Sequence, residues 1–254
     1  MFALDLFFPR QVKCIFCGRE TKEYGICDSC YENLPFILPP TCHRCGGRMI
    51  GKGIVCVECK GRQSTLDRCY SILEYTDEIA KKINTFKQAG VKHIGETFAF
   101  LIDEKLQDIE GDIDIIIPVP ISESRRKLRG FNQSEILCKE IMESGKVNVS
   151  ILTRPTDTPH QTGLGRKNRL ANLKDAFKVT DKKMIKNKTI LLIDDIYTTG
   201  STLNECARTL KDAGASKVIG LTLARAKPKM NKVLDDRQVD DKIISLAMTI
   251  GDFY

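Results

Sequence analysis

Two adjacent carboxylates followed by a run of hydroxyl side chains indicate a binding site for a sugar phosphate. Asp194 and Asp195 come directly before a short segment, which we call the phosphate loop, residues 198–202: Thr198, Thr199, Gly200, Ser201 and Thr202. Carboxylates accept hydrogen bonds from sugar hydroxyls. Backbone N–H groups and hydroxyls in a short loop before a helix can hold a phosphate. This order of residue types therefore predicts that the carboxylates bind a ribose and that the loop binds its phosphate.

A buried strand and a helix are predicted to position these residues. Residues 190–193 form a continuous apolar run of strand length, which is typical of a parallel strand covered on both faces. After the phosphate loop, apolar residues recur at helical spacing: Leu203, Cys206, Ala207 and Leu210. Ligands of open α/β sheets bind at the carboxyl ends of strands. We therefore expect both carboxylates at such an end, exposed to solvent.

Four Cys-x-x-Cys pairs near the N-terminus have the spacing of metal ligands. They are Cys14 and Cys17, Cys27 and Cys30, Cys42 and Cys45, and Cys56 and Cys59. Two such pairs supply the four thiolates of a closed tetrahedral zinc site, so the eight cysteines predict two structural Zn²⁺ ions. Pairing in chain order is preferred, and an interleaved arrangement is left open. Disulfides and an iron–sulfur cluster are less favoured, because glycines follow two of the pairs as in zinc ribbons.

The other three of the eleven cysteines fall on apolar faces. They are Cys69, Cys138 and Cys206, and we predict that they are core residues. Use of cysteines as metal ligands rather than in disulfides indicates a cytosolic setting. No apolar run approaches the length of a membrane span, and the N-terminal segment lacks a cleavage site of small residues, so we expect neither a span nor a secretory signal.

The composition changes near residue 66, which predicts two domains. Residues 1–66 form a metal module rich in turn residues, and residues 67–254 alternate strands with helices. Strands are predicted at 70–75, 113–120, 147–153, 176–180, 190–193 and 218–224, and helices at 77–88, 93–109, 130–143 and 166–173, with a further helix after the phosphate loop that stops at Gly214. This alternation predicts a parallel sheet covered on both faces. The long polar loop at 154–165 is a candidate for function.

Positive charge is concentrated in one part of the chain. The net charge is +7, and residues 122–178 carry twelve Lys or Arg against six Asp or Glu. Within it, Arg125, Arg126 and Arg129 occupy a basic loop after the predicted strand at 113–120. Arginine forks suit bidentate phosphate contacts. The segment is therefore predicted to bind a polyanion, either a diphosphate or a nucleic acid.

The strand, acidic pair, hydroxyl loop and helix together resemble the phosphoribosyl diphosphate (PRPP) signature of type I phosphoribosyltransferases. That resemblance implies that Asp194 and Asp195 contact the ribose 2′ and 3′ hydroxyls and that the phosphate loop wraps the 5′-phosphate. It also implies that Mg²⁺ accompanies PRPP, and it places Arg125, Arg126 and Arg129 where the family binds pyrophosphate. The acceptor that would attack the ribose, and whether PRPP is turned over at all, are left open.

Two further motifs narrow the resemblance to the ComF family of competence-associated proteins. One is RGFNQ at 129–133, and the other comprises Gln161, Leu164, Arg169, Asn172, Ala176 and Phe177. The family's double zinc ribbon matches the four cysteine pairs. Lys87 lies in FKQAG, a stretch with counterparts in ComF relatives, although a surface lysine would look the same.

The ComF resemblance implies a role in DNA uptake and natural transformation. Its implied partners are single-stranded DNA and a helicase-like ATPase at the inner membrane. The implied location is the cytoplasm, with peripheral attachment to the inner face of the cell membrane left open. The alternative hypothesis is an active phosphoribosyltransferase that serves an unidentified acceptor outside DNA uptake.

Overall fold

A four-stranded parallel sheet organises the chain in the computed structural model, which describes residues 12–21, 24–89, 92–109, 111–139, 141, 145–155 and 173–226. Its strands are β3 (Arg68–Glu74), β4 (Ile115–Pro118), β7 (Thr189–Tyr197) and β8 (Lys217–Arg225). They lie in the order β3-β8-β7-β4, and every neighbouring pair is parallel. Two short antiparallel pairs are also present: β1 (Val12–Lys13) with β2 (Glu20–Thr21), and β5 (Leu152–Thr153) with β6 (Lys178–Val179).

Helices connect the strands and cover both faces of the sheet. They are α1 (Asp28–Glu32), α2 (Asp77–Ala89), α3 (Lys92–Gln107), α4 (Glu123–Arg129), α5 (Gln133–Leu137), α6 (Lys182–Ile185) and α7 (Ser201–Asp212). Along β7, Leu191 and Ile193 face a core shared with α2 and α3, whereas Ile190 and Leu192 face a second core shared with α7. This alternation follows from the period of two along a strand. The predicted fold class is confirmed.

The cysteine-rich N-terminal module pairs with an edge of this sheet. The Ile37 N–H donates to the Ile72 carbonyl at 2.8 Å, and the Glu74 N–H donates to the Pro35 carbonyl at 2.8 Å. Gly46 also bridges to Tyr70. Because β3 is an edge strand, these contacts satisfy backbone groups that would otherwise be open to another chain. The boundary between residues 66 and 67 stays a prediction.

Two predicted elements around the basic segment are wrong in detail. The basic loop is itself helical, as α4, and the helix predicted at 130–143 is represented by the short α5. Gly130 has a left-handed φ of 81° and ends α4. Asn132 then starts α5, because its side chain accepts a hydrogen bond from the Ser134 N–H. A glycine stop and an asparagine cap so close together divide the segment in two.

The strand predicted at 147–153 is also shorter than expected. Its first part runs beside β4, where the Asn148 N–H donates to the Ile116 carbonyl at 2.8 Å. The Asn148 side chain then accepts from the Ser150 and Ile151 N–H groups, which turns the chain before β5 begins. The helix predicted at 166–173 and most of the loop at 154–165 lie outside the described residues. So do the first residues and the C-terminal tail.

Among the helices of the residues that the structure describes, none is both long enough and apolar enough to cross a membrane.

Candidate functional site

The acidic pair lies at the carboxyl end of β7, where the sequence places it. Asp194 is half-buried and Asp195 is buried, at 9% exposure, so the expectation of solvent-exposed carboxylates was wrong. Asp194 Oδ1 accepts hydrogen bonds from the Asp195 N–H at 2.9 Å and from Ser134 Oγ at 3.2 Å. Burial and the adjacent Asp195 charge raise the pKa of Asp194 to about 7. The helix α5, which carries Ser134, packs against this strand end.

Lys87 forms an ion pair with the second carboxylate. Its Nζ lies 2.7 Å from Asp195 Oδ2, and the two side chains are 22% and 12% exposed. Lys87 is in the last turn of α2, and the fully buried Phe86 anchors that turn in the core. The structure therefore favours a site residue over a surface lysine at this position. The half-buried Lys87 ammonium therefore contacts Asp195, a carboxylate that the sequence analysis predicts to bind ribose.

The raised pKa of Asp194 predicts a pH dependence of stability. The folded state holds the Asp194 proton up to about pH 7, whereas an unfolded carboxyl loses it near pH ~4. The contribution of the protonated Asp194 carboxyl to the stability of the fold is therefore fully present below the unfolded pKa. It is lost as the pH rises through the folded pKa of about 7. Asp194→Asn mimics the protonated form. The variant should unfold at higher denaturant concentration than the wild type at pH 8, by a margin on the order of 1 kcal/mol.

Denaturant unfolding at several pH values checks this prediction. The stability difference between Asp194→Asn and the wild type should be small near pH 4, grow towards pH 7 and then level off. A difference that is independent of pH would contradict the assigned protonation.

The phosphate loop is held in one conformation by its neighbours. Gly200 has a left-handed φ of 77°, and a Cβ at this position would lie 2.1 Å from Tyr197 Oη. Both facts require glycine. The Thr199 and Ser201 hydroxyl oxygens are 2.8 Å apart, and Asn204 Nδ2 donates to the Gly200 carbonyl at 2.8 Å. Thr202 is the second residue of α7, so the loop leads directly into a helix N-terminus, which favours an anion.

Asn204 is a site-supporting residue that the sequence analysis missed. Its Oδ1 accepts hydrogen bonds from the Thr65 N–H at 2.8 Å and from Ser64 Oγ at 3.1 Å. The side chain therefore ties the end of the metal module to the start of α7. No sequence pattern identified it, because a polar residue in the first turns of a surface helix is ordinary.

The predicted arginines lie on α4. Shortly after α4 the chain reaches Ser134, the residue that contacts Asp194. Arg126 pairs with Glu135, and Arg129 Nη1 donates to Gln133 Oε1 at 3.1 Å. Arg125 is half-buried. Gln133 is buried, and its Nε2 has no hydrogen-bond partner among the described residues. It adjoins Ser134, the residue that contacts Asp194. The structure thus places the basic helix α4 next to residues 132–134, which include the hydrogen-bond partner of Asp194.

The eight cysteines form two clusters, in which the Cys-x-x-Cys pairs combine in chain order, the arrangement preferred from the sequence. The first tetrad is Cys14, Cys17, Cys27 and Cys30, and the second tetrad is Cys42, Cys45, Cys56 and Cys59. Within each tetrad all sulfur atoms lie within 4.8 Å of one another. The Cys17–Cys27 and Cys45–Cys56 sulfur distances are 3.6 and 3.8 Å. Tetrahedral zinc with Zn–S bonds of about 2.3 Å needs sulfurs about 3.8 Å apart, so both tetrads fit Zn²⁺.

The two tetrads face different cores. Cys14 belongs to the core shared with α2 and α3, whereas Cys42, Cys45 and Cys59 belong to the core shared with α7. The remaining cysteines, Cys69, Cys138 and Cys206, are buried, which confirms the prediction that they are core residues.

Two family models match the chain. The double zinc ribbon domain matches residues 3–60, and the phosphoribosyl transferase domain matches residues 136–249. The first match covers both tetrads. The second covers the acidic pair and the phosphate loop.

Curated relatives match over most of their length. Competence protein F of Haemophilus influenzae is 29% identical over 225 residues, which is 84% of this chain and 97% of the relative. Competence protein ComFC of Bacillus subtilis is 29% identical over 79% of this chain and 84% of the relative. DNA utilization protein YhgH of Escherichia coli K12 is 26% identical over 77% and 88%.

Solved structures that match part of the chain include two enzymes. One is described as the allosteric regulatory enzyme of purine biosynthesis, with 14% identity, a TM-score of 0.34, and coverage of 51% of this chain and 26% of that one. The other is a hypoxanthine-guanine phosphoribosyl transferase of L. donovani, with 16% identity, a TM-score of 0.34, and coverage of 54% and 74%. Similarity at this level carries no statement about substrates.

Proposed function

Because the chain belongs to the ComF family, with a phosphoribosyltransferase domain behind a double zinc ribbon, we propose that it binds PRPP and acts in DNA uptake. The observation that carries the PRPP proposal is the arrangement at the end of β7. Asp194 and Asp195 lie there beside a loop fixed by Gly200 at a helix N-terminus. The relatives' names, competence protein and DNA utilization protein, support the role in DNA uptake.

In the proposed complex each group of the ligand has a chemical counterpart. The carboxylates accept hydrogen bonds from the ribose hydroxyls, and the phosphate loop donates its N–H and hydroxyl groups to the 5′-phosphate. The Arg125, Arg126 and Arg129 guanidinium groups serve the diphosphate. Mg²⁺ prefers oxygen ligands, so the Asp194 and Asp195 carboxylates together with oxygens of the ligand would hold it. Bound Mg²⁺ would neutralise part of the charge of the diphosphate.

Calorimetry with PRPP and Mg²⁺ tests the proposal on zinc-loaded protein. We expect saturable binding of PRPP and weaker binding of ribose 5-phosphate, since the latter lacks the diphosphate. Absence of PRPP binding would refute the proposal. Release of diphosphate in the presence of a candidate acceptor would instead favour the alternative, an active phosphoribosyltransferase with an acceptor outside DNA uptake.

Lys87 should contribute to PRPP affinity. Its ammonium lies 2.7 Å from Asp195 Oδ2 and compensates part of the negative charge that an anionic ligand meets there. Lys87→Met leaves the acidic pair uncompensated, so PRPP affinity should fall about tenfold. Lys82→Met is the matched control, because Lys82 lies on the same helix over the Phe16 ring. Equal or tighter PRPP binding by Lys87→Met would contradict this assignment.

A second prediction concerns nucleic acid. The excess of basic residues in 122–178 predicts weak binding of single-stranded DNA without sequence preference. Its logarithmic salt dependence should have a slope of about −0.7 per phosphate neutralised. Arg125→Ala with Arg126→Ala should weaken it, whereas Lys186→Ala with Lys217→Ala, at the amino ends of β7 and β8, should not.

Fluorescence anisotropy of a labelled oligonucleotide over a range of salt concentrations provides the measurement. A parallel loss of PRPP and DNA affinity in the arginine variant would show that the two binding surfaces overlap. If no DNA binding is found even at low salt, DNA uptake must be served through a protein partner. A helicase-like ATPase at the cytoplasmic face of the membrane is the partner that the family role implies.

A further inference from the structure

A series of contacts joins the second tetrad to the phosphate loop through one buried arginine. Glu58 lies between the second tetrad's Cys56 and Cys59, and its Oε2 is 2.8 Å from Arg225 Nη2. Arg225 is the last residue of β8 and is 5% exposed. A buried cation needs a compensating partner. Glu58, which lies between two cysteines of the second tetrad, provides that partner.

Arg225 is also close to the metal-binding sulfurs themselves. A Cβ built on Gly47 would lie 3.4 Å from both Arg225 Cγ and Cys45 Sγ. Arg225 therefore packs against the Cys45 side of the second tetrad as well as pairing with Glu58.

The other end of this series is the phosphate loop. The Arg225 guanidinium lies 5.1 Å from the centre of the Tyr197 ring, and the two residues are partners across β7 and β8. Tyr197 is buried, at 5% exposure. The Gly200 backbone rests directly on this ring, because a Cβ there would lie 2.1 Å from Tyr197 Oη. The position of the loop thus depends on where the tyrosine ring is held.

The first tetrad makes a different contact with the rest of the chain. On the helix that carries Cys30, Tyr31 donates its hydroxyl hydrogen bond to Glu104 of α3 at 2.9 Å. Tyr31 belongs to the core of α2 and α3, on the sheet face opposite α7. Among the described residues, each tetrad thus has a side-chain contact with the sheet domain, and of these two contacts it is the second tetrad's that leads to Tyr197.

We propose that Arg225 is a positioning residue of the PRPP site and that zinc at the second tetrad controls the affinity of the phosphate loop for the 5′-phosphate. Zinc at the second tetrad fixes the turn between Cys56 and Cys59, which carries Glu58. Glu58 then holds Arg225 against Tyr197, and Tyr197 supports Gly200. Loss of zinc from the second tetrad releases Arg225 and loosens the loop. This inference rests on the proposed function for its ligand.

Four variants and one matched control test the proposal on the full chain with zinc bound. Glu58→Ala and Arg225→Met should retain two zinc ions, exchange the amides of 198–202 faster, and bind PRPP about tenfold more weakly. Glu58→Gln keeps an acceptor oxygen and should restore part of both properties. Arg225→Lys should restore neither, because an ammonium cannot pair with Glu58 and stack on Tyr197 at once. Glu104→Ala should leave loop exchange and PRPP affinity as in the wild type.

The exchange measurement needs no PRPP, which separates the two hypotheses. If the wild type does not bind PRPP but Glu58→Ala still accelerates loop exchange, the proposed function fails and the structural link stands. If Glu58→Ala retains both zinc ions and shows wild-type loop exchange, the inference is overturned. It is also overturned if Glu104→Ala affects the loop as strongly as Glu58→Ala.

Discussion

Replacement of Cys42 by serine should release one of two zinc ions and remove most of the soluble, folded protein. Cys42 is fully buried in the core that covers the α7 face of the sheet, and its sulfur accepts a hydrogen bond from the Cys56 N–H at 3.3 Å. Binding of structural zinc contributes on the order of 10 kcal/mol or more in small zinc domains. That is comparable to the typical net stability of a folded protein, about 5–15 kcal/mol.

Elemental analysis of purified protein measures this effect. The wild type should hold two zinc ions per chain, and Cys14→Ser should lose the ion of the first tetrad. Cys138→Ser is the matched control, because Cys138 is a buried cysteine outside both tetrads and should leave both ions in place. Iron in the wild-type protein, or two zinc ions in folded Cys42→Ser, would refute the assignment of the tetrads.

Asp194→Asn combined with Asp195→Asn should abolish the stabilisation of the protein by PRPP and Mg²⁺. Hydrogen bonds to charged groups are worth about 1.5–3 kcal/mol each, so at pH 8, above the raised pKa of Asp194, loss of two carboxylate acceptors should weaken PRPP binding by roughly a hundredfold or more. In the wild type, PRPP at 100 times its Kd should stabilise the folded state by about 2.7 kcal/mol. Thermal unfolding with and without PRPP shows the difference.

The unliganded stability of this double variant must be measured separately. Asp194→Asn removes a carboxylate whose pKa is raised to about 7 and should stabilise the fold at neutral pH. Asp195→Asn removes the partner of Lys87 and should destabilise it. Asp114→Asn is the control, because Asp114 pairs with Lys188 at 2.9 Å at the opposite end of the sheet and should preserve the PRPP effect. A double variant that is still stabilised by PRPP would show that the acidic pair does not bind the ligand.

The fold class, the metal-binding groups and the location of the acidic pair could be predicted from the sequence. Each of these depends on residues that are close together in the chain. A Cys-x-x-Cys pair brings two sulfurs to one metal through a single turn, and an apolar run followed by aspartates places them at a strand end. Gly200 was identified for the same reason, since the phosphate loop is one contiguous segment. Local periodicity likewise predicted α2, α3 and α7 almost to their ends.

The tertiary structure alone decided which groups meet at the site. Lys87 contacts Asp195, Ser134 contacts Asp194, and Glu58 reaches Tyr197 through Arg225, although these residues are far apart in the chain. Such contacts depend on the strand order β3-β8-β7-β4 and on the register of Tyr197 with Arg225, which no local pattern encodes. Burial of the acidic pair and the raised pKa of Asp194 follow from the same packing. A carboxylate's protonation and its partners are set by what the fold brings against it, because the cost of burying charge depends on every neighbour within a few ångströms.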